Sequence, residues 1–290
     1  MTDAVTPSSE PELRTVVCAH PGGLHRLAYW QWGDPRNDRV VVCVHGLSRT
    51  GRDFDTLARR LSATHRVVCP DMIGRGRSER VADPMLYQVP QYVADCVTLI
   101  AQLDVPSVAW VGTSMGGLIG MMLAALDGAP LARLLLNDVG PVLSAEGLTR
   151  IRDYVGADPT FASFEDGEAE VRRLSAGFGP LTDAQWRLLS RHTIVPRDGG
   201  GWGFHYDPRI ATPIRAQADA APPLWPWYDR IACPVWLVRG AQSDLLAAEV
   251  ADEMTRRGPR AVRVDVPGVG HAPTFIPDDQ IAIVEQFLRA

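Results

Sequence analysis

The stretch Ser107–Gly120 reads SVAWVGTSMGGLIG and is the most informative part of the sequence about the fold. It runs from an apolar segment, through a turn of small residues around Ser114, into a second apolar segment that starts at Leu118. This order predicts a strand, a sharp turn and a helix, which is the arrangement of the G-x-S-x-G nucleophile elbow. Glycines two residues before and after the serine leave room for the strand and the helix to pack closely. The stretch therefore predicts that Ser114 is a nucleophile exposed at the tip of the turn, beside the positive end of the helix dipole.

Apolar runs typical of buried strands alternate with segments of helical spacing on both sides of this elbow. The clearest strands before it are Val40–Val44 and Val67–Cys69, and Leu134–Leu136 follows it. This rhythm predicts an α/β fold with a mostly parallel sheet of eight strands and crossover helices on both faces. The alternation of predicted strands and helices stops at Pro141 and resumes at Pro234. The residues between these two prolines have helical patches and many aromatic side chains, so we interpret them as a helical insertion over the sheet's carboxyl edge.

These patterns divide the chain into three parts. Residues 1–12 are polar and acidic, and we interpret them as a disordered lead. Residues 13–140 and 231–290 form the predicted α/β core, and residues 141–230 form a predicted helical cap. The lead has neither the basic region nor the apolar region of a secretory signal peptide, which favours a cytoplasmic protein.

Composition argues against several kinds of partner. The chain has 29 Lys or Arg and 34 Asp or Glu residues among 290, a net charge of −5, and no basic run that suggests a nucleic-acid partner. No apolar segment approaches the length of a membrane span. The five cysteines are scattered without metal-ligand spacing, so we expect neither a zinc site nor a disulfide framework. We therefore expect a cytoplasmic protein that acts on a small molecule without a metal or a cofactor.

The residues that follow each strand are the candidates for catalysis, because ligands of open α/β sheets bind beyond the carboxyl ends of the strands. His271 follows the last predicted strand, between glycines and a proline, and is the candidate base for Ser114. Asp244 follows the preceding strand and gives the chain order Ser, Asp, His, so we favour it as the carboxylate that orients His271. Asp138, at the end of the strand before that one, is the alternative, and Asp71 is a weaker candidate.

The oxyanion hole is expected from the loop after the third strand together with the residue after the nucleophile. In this sequence these positions are the backbone N–H groups of Leu47 and Met115. We interpret His45, two residues before Leu47, as a brace of this loop rather than as the catalytic base.

Two kinds of side chain are candidates for binding the substrate. Arg49, just past the oxyanion loop, is a candidate for attracting a substrate carboxylate, with a solvated loop arginine as the alternative interpretation. The aromatic residues of the predicted cap are candidates for an apolar pocket wall, with packing of the cap's own core as the alternative. These residues are Trp202, Trp225, Trp227 and Tyr228.

With these motifs, the chain resembles the α/β-hydrolase superfamily, in particular its lidded branch of esterases, lactonases and C–C hydrolases. The resemblance runs from about residue 24 to the end and implies the α/β-hydrolase fold with a serine–histidine–acid triad. It does not specify the substrate. Serine at position 114 argues against haloalkane dehalogenases and epoxide hydrolases, whose elbow carries Asp. The motifs that carry the resemblance are HGL at 45–47, DMIGRGRS at 71–78, GTSMGG at 112–117, NDVGP at 137–141, Asp244, and GHAP at 270–273.

The resemblance implies a serine hydrolase that cleaves a small carboxylic ester or a lactone through an acyl-enzyme. A C–C bond hydrolase of a ring-cleavage dione would use the same triad. The run TSMGG at 113–117 also suits a cofactor-free perhydrolase or haloperoxidase. The alternative from a different class is a non-catalytic receptor that keeps the fold and binds a small molecule in the capped pocket.

Overall fold

The computed structural model describes residues 10–216 and 222–290. Within these residues, eight strands form the main sheet and two more form a separate hairpin. The strands are β1 (Glu12–His20), β2 (Gly23–Trp32), β3 (Val40–Val44), β4 (Arg66–Pro70), β5 (Val108–Thr113), β6 (Leu131–Asn137), β7 (Ile194–Pro196), β8 (Trp202–Phe204), β9 (Val235–Gly240) and β10 (Val262–Val266).

The main sheet has the order β1-β2-β4-β3-β5-β6-β9-β10. Strands β1 and β2 pair antiparallel with their neighbours, and all pairs from β4 to β10 are parallel. All five residues of β3 are buried, because a central parallel strand is covered on both faces. The predicted eight-stranded, mostly parallel sheet is confirmed. The carboxyl ends of its parallel strands meet at one edge, where the loops after β3, β5, β6, β9 and β10 carry the predicted site residues.

Helices cover both faces of this sheet, as predicted. Side chains of α2 and α3 belong to the apolar cluster on one face, and those of α1 and α10 belong to the cluster on the other. Within the two described ranges, no helix is both long enough and apolar enough to cross a membrane. The helices are α1 (Asp55–Leu61), α2 (Val89–Leu103), α3 (Met115–Ala124), α4 (Ala145–Tyr154), α5 (Phe164–Leu174), α6 (Asp183–Thr193), α7 (Ala211–Ala216), α8 (Trp225–Tyr228), α9 (Ala248–Arg256) and α10 (Asp278–Arg289).

The insertion, residues 141–230, lies between β6 and β9 and contains the helices α4 to α8. Three of these helices coincide with the helical patches seen in the sequence. Helix α5 begins at a capping box. The side-chain oxygens of Ser163 and Asp166 each accept a hydrogen bond from the other residue's backbone N–H. The hairpin β7–β8 was not predicted, because its three-residue strands are too short to show a clear period.

Two parts of the predicted division lie outside the described residues. They are residues 1–9 of the predicted lead and residues 217–221 of the insertion. Within the described part, β1 begins at Glu12, so the predicted lead extends one residue too far.

Candidate active site

Ser114 lies at a sharp turn between β5 and α3. Its backbone has φ 52° and ψ −114°, a conformation that a residue with a side chain adopts only where the surrounding structure imposes it. The Ser114 N–H donates to the carbonyl of Asn137 at 2.9 Å, which ties the turn to the neighbouring strand. A Cβ atom on Gly112 would collide with the carbonyl of Gly116, and one on Gly116 would collide with that of Val44. The structure therefore has the strand, turn and helix predicted for this stretch, and close packing explains its glycines.

His271 lies in the loop after β10, beside this turn. Its Nε2 is 3.0 Å from Ser114 Oγ, and its Nδ1 is 2.7 Å from Asp138 Oδ2. An ionised carboxylate only accepts hydrogen bonds, so Nδ1 carries the hydrogen and donates to Asp138. Nε2 is then left to accept from the Ser114 hydroxyl, which is the tautomer that a general base for a serine needs. The three side chains form a continuous chain of hydrogen bonds.

Asp138 is fully buried directly after β6, and its carboxylate accepts three hydrogen bonds. Besides His271, the donors are the Gly240 N–H at 2.8 Å and the Ser243 hydroxyl at 2.6 Å. The Ser243 oxygen in turn accepts from the Leu246 N–H at 3.0 Å. These donors fix the orientation of the carboxylate, and the carboxylate fixes the ring of His271.

This geometry corrects the prediction that Asp244 orients His271. The Asp244 carboxylate instead accepts from Nε and Nη2 of Arg150, which belongs to α4. Burial by itself would raise the pKa of Asp244, but the hydrogen bonds and the charge of Arg150 lower that pKa below its usual value. The reason is position. Asp138 directly follows the strand that neighbours β5, whereas Asp244 lies beyond a turn after β9 and faces the insertion.

His45 braces the loop after β3, as we interpreted it from the sequence. Its Nε2 accepts from the Met72 N–H at 2.9 Å, so its Nδ1 carries the hydrogen and donates to the Gly46 carbonyl at 2.6 Å. Burial lowers the pKa of His45 to about 3. A neutral ring with both nitrogens engaged is a structural element of the loop.

Asp71 also has a structural position, away from His271. Burial raises its pKa to about 6. Its carboxylate closes the loop after β4 and accepts hydrogen bonds from Gly51 N–H at 2.7 Å, Arg77 N–H at 2.9 Å and Trp30 Nε1 at 3.1 Å.

The two predicted oxyanion donors lie near Ser114. Met115 is the first residue of α3, where the N–H groups have no acceptor within the helix. Leu47 lies in the loop after β3, and a methyl group on the adjacent Gly46 would come 3.8 Å from Ser114 Cβ. Arg75 Nε donates to the Leu47 carbonyl at 2.9 Å, which restrains the loop that carries the Leu47 N–H.

A cavity lies over the Ser114–His271 pair, between the loops of the sheet edge and the insertion. Among the described residues, the charged side chains of Arg49, Asp53 and Arg150 reach it. A mostly apolar wall with a few polar groups is typical of small-molecule sites. The apolar wall of this cavity comes mainly from the insertion. It includes Ile151, Tyr154, Val171, Leu174, Phe178, Leu189, Phe204 and Tyr206.

The prediction of the pocket aromatics is corrected, because within the described residues the cavity is lined by none of the four side chains that we predicted. Trp202 packs edge-on against a phenylalanine of α5, with ring centroids 5.5 Å apart. Trp225 packs in the same way against Tyr228 at 5.7 Å, and the Tyr228 hydroxyl donates to the Met254 carbonyl at 2.6 Å. Trp227 packs against the main apolar cluster. Helix α8 thus faces α3 and α9, with Tyr228 buried in the core and the two tryptophans packed against it.

Arg49 lines the cavity, as predicted for a residue just past the oxyanion loop. It is already paired, because its Nε and Nη2 donate to Asp53 at 2.7 and 2.8 Å. Its guanidinium carbon also lies 5.8 Å from the ring centroid of Phe178. The pairing with Asp53 compensates the charge of Arg49 inside the cavity.

Several residues of the site were missed from the sequence. Ser243 carries no motif of its own, and its contact with Asp138 depends on two strands being neighbours. Phe204 is the last residue of the short strand β8 and Tyr206 follows it, and their rings stack 5.5 Å apart at the cavity. Arg150 lies on a helix that was predicted, but its partner is far away in the sequence. The sequence did indicate Asp138 as an alternative orienting carboxylate, because it lies at the end of a strand.

Comparisons with known proteins identify the family to which the chain belongs. The model of a family described as the alpha/beta hydrolase family matches residues 41–284. The 3-hydroxybutyrate-oligomer hydrolase of Cupriavidus necator is 54% identical over 290 residues, covering 97% of this chain and 98% of that protein. A solved alpha/beta hydrolase from Novosphingobium aromaticivorans is 38% identical with a TM-score of 0.87, covering 97% of this chain and 99% of that one. A 2-(acetamidomethylene)succinate hydrolase of Mesorhizobium japonicum is 25% identical, covering 87% of this chain and 88% of that protein.

Proposed function

The chain belongs to the alpha/beta hydrolase family and is a hydrolase that cleaves ester bonds, and from this premise we propose a serine esterase that acts on short oligoesters of a small hydroxy acid. The observation that carries the proposal is the hydrogen-bonded chain Ser114–His271–Asp138, which lies under a cavity with apolar walls. The relative named for 3-hydroxybutyrate oligomers supports the substrate class, since it matches along nearly the whole chain.

The first half of the proposed reaction forms an acyl-enzyme. Ser114 Oγ attacks the ester carbonyl carbon while His271 Nε2 takes the hydroxyl proton. Asp138 holds the ring and stabilises the imidazolium that forms. The tetrahedral intermediate then collapses, the bond to the leaving oxygen breaks, and His271 returns its proton to that alkoxide. The released product is the alcohol part of the ester, with the acyl part bound to Ser114.

The second half frees the acid. A water molecule takes the place of the alcohol, and His271 removes its proton as the oxygen attacks the acyl carbon. The Ser114–acyl bond breaks, His271 protonates Ser114 Oγ, and the acid leaves. In both halves we assign the N–H groups of Leu47 and Met115 to the developing oxyanion. Losing one such donor typically costs about 2.7–4 kcal/mol of transition-state stabilisation.

The proposed substrate class fits the chemistry of the cavity. An oligoester of a hydroxy acid is a short chain with small apolar branches and one terminal carboxylate. The apolar branches match the aliphatic and aromatic wall that the insertion supplies, including Ile151 and Leu174. The insertion therefore serves in this proposal as a cap that excludes water and limits the length of the substrate.

The test begins with the purified full chain and a panel of substrates. We expect hydrolysis of dimers and trimers of 3-hydroxybutyrate with kcat/KM higher than for simple p-nitrophenyl esters, and no cleavage of vinylogous diketones. A fluorophosphonate probe should label Ser114, as identified by mass spectrometry of the labelled peptide. Ser114→Ala should lower kcat by at least ~10³-fold, because the nucleophile is lost.

The control is Ser48→Ala, which removes a hydroxyl that lines the same cavity outside the triad. It should keep the labelling and most of the activity. Retention of full esterase activity by Ser114→Ala would disprove the acyl-enzyme mechanism. Preferred cleavage of a vinylogous diketone would favour a C–C hydrolase, and absence of any probe adduct would favour a receptor.

A further inference from the structure

A cluster of three metal-binding side chain types lies at the β1 edge of the sheet, remote from the catalytic edge. Cys18 and His25 are direct partners in the antiparallel register of β1 and β2, so their side chains share one face. Helix α2 packs on β1 and brings Asp95 to the same place. One potential ligand atom from each residue lies within 4.8 Å of the other two.

The polar atoms of this cluster are buried and incompletely satisfied. The side chains of His25 and Asp95 are 2% and 0% exposed. His25 Nε2 lies 3.1 Å from Asp95 Oδ1 without the alignment of a hydrogen bond, and among the described residues neither His25 Nδ1 nor Asp95 Oδ2 has a hydrogen-bond partner. Leaving such groups unpaired inside a protein is unfavourable, because they have lost their hydrogen bonds to water without gaining others. A bound cation would satisfy them together.

We propose that Cys18, His25 and Asp95 form a Zn²⁺ site with a water molecule as the fourth ligand. Thiolate, imidazole and carboxylate are the ligands that zinc takes in proteins. Zinc bond lengths place tetrahedral ligand atoms about 3.5 Å apart, so ligand atoms that lie farther apart than this, within the 4.8 Å of the cluster, must move closer on binding. The Cys18 thiol gives its proton to solvent as the Zn–S bond forms.

The surroundings of the cluster include a contact that orients one of its ligands. Gln91, one turn before Asp95 on α2, donates from Nε2 to Asp95 Oδ1 at 2.8 Å and to the Ala19 carbonyl at 2.9 Å. Such a contact orients a ligating carboxylate. Gln91 is half-buried, and β1 is an edge strand of the main sheet, so the cluster lies at the periphery of the fold.

The site would be structural, because it lies far from the nucleophile. The strand order places β2, β4 and β3 between β1 and the elbow strand β5. A bound ion would join the edge hairpin to α2 and stabilise the fold without touching Ser114. The three ligands come from three different elements, which explains why the spacing of the cysteines predicted no zinc site.

The test uses the full chain after removal of metal with a chelator. We expect one equivalent of Zn²⁺ to bind in calorimetry, and Co²⁺ to produce a thiolate-to-metal charge-transfer band that Zn²⁺ then abolishes. Zinc at a hundredfold excess over its Kd should raise Tm by about 4 °C. Esterase activity should be unchanged by the metal.

Two variants and one control decide the proposal. Cys18→Ala and His25→Gln should lose the cobalt band and the rise in Tm while keeping esterase activity, which also shows that they fold. Cys233→Ala, which removes a free cysteine elsewhere, should keep both signals. A wild-type chain without the band, or a band that survives Cys18→Ala, would overturn the proposal.

Discussion

Two aspartates follow neighbouring strands of this sheet, and they have different partners. Asp138 comes directly after β6, is fully buried and accepts from Gly240 at the end of β9 and from Ser243 in the turn beyond it, as well as from His271. Asp244 comes after β9, has a side chain that is 26% exposed, and pairs with Arg150 of the insertion. The order of strands in the sheet and the available donors therefore select the orienting carboxylate, whereas the order of residues along the chain does not.

The two aspartates also connect different parts of the molecule. Asp138 connects elements within the core, whereas Asp244 connects the core to the insertion. Asp138 joins β6, β9 and the loop after β10. Asp244 receives the side chain of Arg150 on its carboxylate and the hydroxyl of Ser144 on its carbonyl, and both donors belong to the insertion. We therefore expect changes at Asp138 to reduce the chemical step and changes at Asp244 to loosen the insertion.

The largest expected effect is that of Asp138→Asn. An amide in place of the carboxylate would stabilise the wrong tautomer of His271 and would not stabilise its cation, so kcat should fall by roughly 10³–10⁴-fold. Steady-state hydrolysis of a 3-hydroxybutyrate dimer measures this effect.

The matched variant is Asp244→Asn, for which we expect kcat within about tenfold of the wild type. If Asp244→Asn were the more damaging change, the assignment of Asp138 as the orienting carboxylate would have to be reversed.

We expect a smaller loss of kcat for Ser243→Ala than for Asp138→Asn. This change removes a hydroxyl that donates to Asp138 at 2.6 Å. A hydrogen bond to a charged group contributes about 1.5–3 kcal/mol, so a loss of roughly 10-fold to 100-fold in kcat should follow, with KM little changed. The double variant Ser243→Ala/Asp138→Asn should lose far more activity than Ser243→Ala alone. If both lost the same amount of kcat, Asp138 would not have the larger role that we assign to it.

The smallest expected effect is that of Arg150→Gln on stability. The pair with Asp244 is partly exposed, so its loss should cost less than about 1 kcal/mol of unfolding free energy. Arg150 lowers the pKa of Asp244 in the folded chain, so this stabilisation is present above the unfolded pKa of about 3.9 and is lost as the pH falls through the folded pKa.

Urea unfolding of wild type and Arg150→Gln at a series of pH values measures this contribution. The difference in unfolding free energy should be present at pH 6 and shrink as the pH falls below the unfolded value. A difference that grew in acid would show that Asp244 is not the partner that matters.

Local patterns predicted much of this molecule correctly. The elbow at Ser114, the buried strands and the helices α4 and α6 follow from apolar periods and from turn residues that act within a few positions. His271 was found because it follows the last strand, where the sheet architecture gathers ligands and catalytic groups. Such features were predictable because their physical causes lie within one element or at its end.

The pocket wall could not be predicted in the same way. Trp202 and Trp225 were chosen because aromatic residues are common in small-molecule sites, but the sequence does not say which side of a short helix or hairpin faces a cavity. The structure packs both half-buried tryptophans against the main apolar cluster and brings Tyr154 and Phe204 to the cavity instead. The choice depends on how the insertion docks on the sheet.

The sequence by itself determined the α/β architecture, the nucleophile candidate and the base candidate, because a pattern of neighbouring residues indicates each of them. The tertiary structure alone decided that Asp138 rather than Asp244 contacts His271, and that Cys18, His25 and Asp95 meet in one buried cluster. These contacts join residues far apart in the chain. They arise from strand order, register and helix packing, which depend on the whole core and leave no local period in the sequence.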